Sequence, residues 1–293
     1  VPAISVDELH KHYGPLHAVR GVSFSVAAGE IFALLGPNGA GKSSVVEILE
    51  GYRSRTSGDV QVLGHDPATA GRAWRDRIGI VLQESGIEDE LTVAEAVATY
   101  GACYGQRRPV SALLEQVGLA DKASARIPTL SGGQRRRLDL ALSLVGSPEV
   151  LFLDEPTTGF DPAARRGAWD LIGELRGAGT TIVLTTHYLE EAQRLADRVA
   201  VIDQGLIVAQ GTPAELMGAS GETFITFRSS QPPPPQAGLV ATTDGYELRT
   251  TRPTAALAEL TGWAVGAGLE LDELRVARPT LEEIYLALVE EAE

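Results

Sequence analysis

The sequence predicts an α/β fold interrupted by a helical insert and followed by a smaller α+β module, and three observations carry that expectation. From residue 3 to about 217, short β-branched runs alternate with helical segments, the pattern of a sheet covered by helices. Between 84 and 148 the strand signal disappears and only helical patterning remains. After Gly218-Ala219-Ser220-Gly221, which reads as a linker, the pattern changes to short strands punctuated by turn residues.

Strands are expected at 3–6, 19–26, 31–35, 59–63, 78–82, 150–153, 181–185 and 198–203. The runs LFL and TIVL are short and β-rich, as central parallel strands buried on both faces should be. In the insert, Thr92 and Glu95 form a capping-box pattern that opens a helix, and a second helical run covers 110–117. A capping box recurs at Thr212 and Glu215, so the boundaries expected are a first domain over 1–217, a linker at 218–222 and a module over 223–293. The module should contain a strand at 223–228, a stiff proline loop at 232–235 and a hairpin turning at Asp244-Gly245. A helix from Thr254, a strand near 271–276 and a final helix capped by Thr280 and Glu283 should complete it.

Composition narrows the function. The 293 residues carry a formal charge of -14, with 39 acidic against 25 basic side chains, which argues against a nucleic-acid partner held through clustered Lys and Arg. Cys103 is the single cysteine, so no internal disulfide forms, as suits a reducing compartment. No window approaches 18 consecutive apolar residues, and VPAISVDEL lacks the basic and apolar regions of a signal peptide, which predicts a chain soluble on its own. Only three basic residues are lysines: Lys11, Lys42 and Lys122.

One of those lysines sits in GPNGAGKS, residues 36–43, which fits G-x-x-x-x-G-K-[ST] between an apolar strand and the helical run that starts at Ser44. The chemistry follows from the residue types. Gly36, Gly39 and Gly41 let the backbone curl, with Pro37, Asn38 and Ala40 between them, so that successive N–H groups face phosphate oxygens at a helix N-terminus. Lys42 would reach the β- and γ-phosphates, and Ser43 would place its hydroxyl on Mg²⁺. This loop alone fits kinases, GTPases, helicases and many ATPases.

A second constellation narrows the choice. EVLFLDEP ends a buried strand in Asp154 and Glu155, across from the phosphate loop. Asp154 suits Mg²⁺ held through water, and Glu155 has the position of a general base for the attacking water. Upstream, Leu130-Ser131-Gly132-Gly133-Gln134 precedes the helical stretch RRRLDLALSLV. Ser131 is a good N-cap, and Gly132 and Gly133 leave N–H groups unencumbered, so this helix start is a second anion site. Arg135 to Arg137 read as a solvated or sheet-facing basic turn rather than a nucleic-acid patch.

LSGGQ ahead of a strand ending in DE resembles the signature of the ABC-family ATPases, and the resemblance covers residues 3 to about 217. The fold class it implies is an α/β P-loop NTPase (ABC ATPase) core with a helical subdomain, plus a small C-terminal α+β module. It further implies ATP with Mg²⁺ as cofactors and a site completed by a second subunit, whose γ-phosphate would meet Ser131 to Gln134. Gln83 matches the family's glutamine loop, sensing γ-phosphate and Mg²⁺. His187, ending TIVLTTH, matches the switch histidine. Asp161 matches the inter-subunit loop, while also suiting an N-cap before Pro162, and Tyr13 matches the aromatic that stacks on adenine. Phe160 stands where the family more often has Leu. The whole layout, with RPTLEEIYLAL near the end, resembles the ATPases of daunorubicin-type drug exporters. That implies a homodimer, or a heterodimer with a related ATPase, at the cytoplasmic face of the membrane beneath separate ABC-2-type permease subunits. Export of lipids, polysaccharides or sodium, import, and a soluble role in translation or repair are the alternatives. The last is disfavoured by a single nucleotide domain without intervening heptads. Residues 222–293 read as a dimerisation or regulatory module.

Overall fold

The computed structural model describes residues 2–81, 87–218, 221–278 and 283. The chain forms two compact units, Val1–Thr212 and Pro213–Glu293. The first unit contains two sheets. An antiparallel sheet joins β1 (Ile4–Tyr13), β2 (Leu16–Val26) and, after β3 (Ile31–Leu35) and α1 (Lys42–Leu49), β4 (Ser57–Val62), in the order β2-β1-β4. The one-turn α2 (Arg72–Arg75) leads to β5 (Ile78–Val81). The helical insert follows, with α3 (Val93–Gly101), α4 (Val110–Gln116), short 3₁₀ turns at Ala120–Lys122 and Ile127–Thr129, and α5 (Gly132–Leu144). Then come β6 (Val150–Asp154), α6 (Pro162–Gly177), β7 (Thr181–Thr186), α7 (Leu189–Leu195), β8 (Arg198–Asp203) and β9 (Leu206–Gly211).

The second sheet runs β5-β6-β7-β3-β8-β9. Its first five strands pair in parallel and β9 returns antiparallel to β8. Every residue of β3 and β7 is buried, as the β-branched runs require of strands covered on both faces. Helix α1 supplies Val45, Val46, Ile48 and Leu49 to the core between the two sheets, and the rings of Phe24 and Phe32 stack there at 4.9 Å.

The strands and helices expected in the first unit are present, with instructive differences. β1 and β2 are longer than their apolar runs because bulges keep them paired out to Tyr13 and Leu16. β9 was not anticipated. It exists because Gln204 and Gly205 both adopt positive φ, 45° and 81°, the conformation of a tight hairpin. The Thr92 capping box is made in full, with the Thr92 hydroxyl accepting from the Glu95 N–H and the Glu95 carboxylate accepting from the Thr92 N–H.

The second unit opens with α8 (Pro213–Gly218), which follows Thr212 directly. Division of the chain therefore falls before this helix, whereas the sequence reading put the boundary after it. A four-stranded antiparallel sheet orders β11 (Leu239–Thr242), β12 (Gly245–Thr250), β10 (Thr223–Arg228) and β13 (Asp272–Ala277) as β11-β12-β10-β13, with α9 (Pro253–Ala267) packed on it through Leu260. The hairpin turns at Thr243-Asp244, one residue ahead of the expected pair. The helix expected from Thr280 lies outside the described residues apart from Glu283. Ala219 and Ser220 of the linker lie outside them too.

One buried acid sets a pH dependence. Glu50 caps the C-terminus of α1, and burial, then the nearby Asp154 and Glu47, push its carboxyl up to about 8. Unfolded, the group ionises near 4.5, so between that pH and about 8 the folded state holds a proton that the unfolded state has released, and stability falls as pH rises. Glu50→Gln should therefore melt close to wild type near pH 5 and overtake it progressively toward pH 8, by up to about 4 kcal/mol. Thermal denaturation across that range measures it; a difference that does not change with pH would show that Glu50 does not titrate there.

Candidate functional site

The order β6-β7-β3 brings three strand ends to one edge of the sheet, where open parallel sheets place their ligands. The phosphate loop leaves β3, the acid pair ends β6, and His187 follows β7.

The loop is shaped by its neighbours. A side chain at Gly36 would bring a Cβ to 2.1 Å from the Ile202 carbonyl, so only glycine lets the chain pass β8. Gly41 combines φ of +106° with a Cβ position 2.4 Å from the Ala18 carbonyl, and Gly39 sits at φ +84° in open space. Gly41 is the N-cap residue of α1 and makes no side-chain cap, which leaves the helix N-terminus facing the loop. The Ala40 N–H donates to the Pro37 carbonyl at 3.2 Å, closing the turn around Asn38. The Lys42 ammonium is buried and donates to the carbonyls of Gly36 and Pro37 at 2.7 and 3.0 Å. Burial pushes Lys42 down, while the negative charges of Glu155 and Asp154 oppose that shift, so the lysine and the acid pair share one electrostatic environment. Ser43 is exposed at the start of α1.

Tyr13 ends β1 beside this loop, its hydroxyl 3.0 Å from the Ser44 hydroxyl. The Lys11 ammonium and the Arg53 guanidinium lie 4.9 and 5.3 Å from its ring centre.

At the acid pair, the Thr185 hydroxyl donates to Asp154 Oδ1, and the Glu155 N–H donates to both the carbonyl and the hydroxyl of Thr185 at 3.1 Å. Glu155 has φ of +46°, a left-handed conformation uncommon for a non-glycine residue and held here by those bonds. Its carboxylate meets His187 Nδ1 at 3.1 Å and accepts from the Thr158 hydroxyl at 3.2 Å. The two side chains that the sequence assigned to base and switch are thus in direct contact. Gln83 lies outside the described residues, two positions past the end of β5.

Among the described residues no three His, Cys, Asp or Glu side chains gather into a metal cluster. The donors on hand are one carboxylate at a strand end and one hydroxyl at a helix start, a set suited to a hard cation that takes its remaining oxygens from phosphate and water, as Mg²⁺ does.

The serine–glycine segment folds as a helix start. Ser131 caps α5, accepting from the Gln134 N–H at 3.3 Å, and the Gln134 side chain returns to the Ser131 N–H at 3.0 Å. The Gln134 side-chain oxygen therefore closes a capping box at the start of α5. Ser131 and Gly132 are exposed, and space around the Gly132 Cα is open. Asp161 caps α6, accepting from the N–H groups of Ala163 and Ala164 at 2.9 Å, and those bonds hold its carboxyl below the usual range.

Several supporting residues were not singled out from sequence. Thr185 grips both acids. Glu191 on α7, fully buried, accepts from the Thr157 hydroxyl at 2.8 Å and the Trp169 indole N–H at 3.0 Å, tying the segment after His187 to the turn after Glu155. Arg136 reaches the carbonyls of residues 154–156. A threonine in an apolar strand and an arginine among three carry no local signal of such roles.

Comparison with known proteins bears on the whole chain. Residues 19–158 match the family model described as ABC transporter, and residues 227–280 match that of an ABC transporter domain-containing protein-like C-terminal domain. A daunorubicin resistance ATP-binding protein of Streptomyces coeruleorubidus is 40% identical over 301 residues, covering 98% of this chain and 95% of that protein. A Nod factor export ATP-binding protein I of Ralstonia nicotianae is 45% identical over 222 residues, covering 74% of this chain and 69% of its own length. Among solved structures, the ATP binding subunit of an ABC transporter superposes with a TM-score of 0.68 at 26% identity, covering 75% of this chain and 93% of that one. Similarity that extends over nearly all of both sequences, on a fold shared with a solved ATP-binding subunit, makes this chain a member of the ABC transporter family, one of the subunits that couple ATP hydrolysis to transport.

Proposed function

We propose that this chain hydrolyses MgATP to drive export of drugs or other amphipathic compounds through separate ABC-2-type permease subunits. It would act as a homodimer, or paired with a related ATPase, at the cytoplasmic face of the membrane. The observation that carries the drug reading is the extent of similarity: the daunorubicin resistance relative matches both units of the chain, whereas the Nod factor export relative matches 74% of it. Among the described residues no helix is long and apolar enough to cross a membrane.

In this reading the loop 36–43 wraps the phosphates, and Lys42 shifts its ammonium from the loop carbonyls to the β- and γ-phosphate oxygens. Ser43, Asp154 and Gln83 would hold Mg²⁺, which neutralises charge on the transferring phosphoryl group. Glu155 takes a proton from the attacking water as its oxygen bonds the γ-phosphorus and the bond to the β-phosphate oxygen breaks, giving ADP and phosphate. His187 orients the Glu155 carboxylate from 3.1 Å and senses the γ-phosphate. The exposed start of α5 at Ser131 to Gln134, together with Asp161 at the start of α6, would complete the site of a second copy. Two such sites would form only when the copies close on ATP, which makes binding and hydrolysis a closing and opening cycle for the permease. The module 223–293 would serve dimerisation or regulation.

Glu155→Gln should keep ATP binding, accumulate an ATP-dependent dimer on size exclusion and lose turnover by roughly 10²- to 10⁴-fold; rapid hydrolysis by this variant removes Glu155 as the base. Tyr13→Phe loses only the contact to Ser44 and should leave the ATP KM within about twofold, while Tyr13→Ala should raise it about tenfold through loss of the aromatic face. Steady-state kinetics separate the two, and equal effects would assign Tyr13 to packing. Purification from the native membrane should recover a polytopic permease whose reconstituted complex exports daunorubicin-type compounds with ATP. A complex that hydrolyses ATP yet moves none of them would keep the ATPase and discard the drug.

A further inference from the structure

Arg136 is one of three consecutive arginines, and the fold gives it a different setting from an ordinary surface cation. It lies on the first turns of α5, two residues past Gln134, with its side chain only 12% exposed. Its Nη2 donates to the carbonyl of Asp154 at 2.7 Å and of Glu155 at 3.3 Å, and its Nε donates to the carbonyl of Pro156 at 3.2 Å. Asp139, one turn further along the helix, is 3.9 Å away. Burial lowers the guanidinium pKa, against the raising influence of Asp139, Asp154, Glu191 and Glu155 in that order. A planar fork of five N–H donors can gather three successive carbonyls, and an ammonium cannot. The segment it gathers is the turn beyond β6 in which Glu155 holds its left-handed φ of +46°.

We propose that Arg136 is a positioning residue that ties the start of α5 to the Asp154–Glu155 turn, so that a phosphate held at Ser131 to Gly133 sets the alignment of this chain's own Glu155. The inference rests on the two-copy reading given above. In that arrangement the α5 start of one copy faces the nucleotide bound to the other copy's loop, whereas Glu155 serves the nucleotide on its own loop. Arg136 then joins the two sites through a short mechanical path. A shift of the α5 start on phosphate contact carries the guanidinium with it, and three carbonyls move as one with the guanidinium. Hydrolysis at either site would depend on occupancy of both.

The test compares ATPase activity against ATP concentration for the full chain, Arg136→Lys and Arg136→Gln, with melting temperature measured alongside. Wild type should show a Hill coefficient approaching about 2. Arg136→Lys keeps the cation, so its melting temperature should stay within a few degrees, yet kcat should fall about tenfold with KM within about twofold and the Hill coefficient should drop toward 1. Arg136→Gln should lose cooperativity in the same way. Wild-type kcat and cooperativity in Arg136→Lys would overturn the proposal in favour of simple charge neutralisation. So would a loss of kcat that leaves the Hill coefficient unchanged, or one that only tracks a fall in melting temperature. Size exclusion with ATP of Glu155→Gln and of the Glu155→Gln/Arg136→Lys double variant separates this inference from the reading beneath it. Dimers from both support it. A dimer from Glu155→Gln alone makes Arg136 an assembly residue and overturns the proposal by itself, and no dimer from either overturns the two-copy reading together with the coupling.

Discussion

Parallel pairing of β7 with β3 on one side and β6 on the other is the constraint from which the chemistry follows. It sets Leu35 opposite Thr186 and Asp154 opposite Thr185, so the phosphate loop, the acid pair and His187 leave the sheet at one level. Thr185 then acts at short range, bonding the Asp154 carboxylate through its hydroxyl and the Glu155 N–H through two oxygens. A one-residue slip of β7 would turn Thr185 to the other face and release both acids. The antiparallel sheet depends on the same frame: α1 is clamped between the two sheets, and its N-terminus is the floor of the phosphate loop.

Electrostatics are arranged against the average charge. In a chain of formal charge -14, the phosphate loop holds a buried lysine and the acid pair is backed by a partly buried arginine, so the two cations lie where anionic groups concentrate. The acids favour the charged form of Lys42. Arg136 neutralises a region that four carboxylates approach. A surface that is acidic elsewhere disfavours nonspecific polyanions while these local fields favour a single triphosphate.

Much of this was legible in the sequence because the strongest signals are local. The loop glycines, the Thr92–Glu95 capping box, the Ser131 N-cap and the buried β-branched runs each state their conformation within a few residues, and α3, α5, β3 and β8 lie where those signals put them. What escaped notice depends on contacts distant in sequence. The strand β9 rests on a Gln-Gly turn that adopts a conformation more often announced by Asn-Gly. Thr185 and Glu191 matter through partners about 30 residues away in the chain, and nothing in TIVLTT or LEEAQ marks them as support for an active site. The bond from the Ser131 N–H to the Gln134 side-chain oxygen also went unread, although a Gln at the third helical position satisfies that backbone donor locally.

The glycines of the phosphate loop divide into two kinds with different consequences. Gly36 and Gly41 are required by carbonyl oxygens of β8 and β2 that press against them from outside, whereas Gly39 has open space around it. The loop is therefore moulded from behind by the scaffold and does not need a nucleotide to give it form. A survey of tolerated substitutions would find the two crowded positions as intolerant as Lys42, and loss of binding at them would report a deformed backbone, not a severed contact to phosphate. Intolerance and ligand contact are separate properties here, and only the side that faces Asn38 and Gly39 is free to record the second.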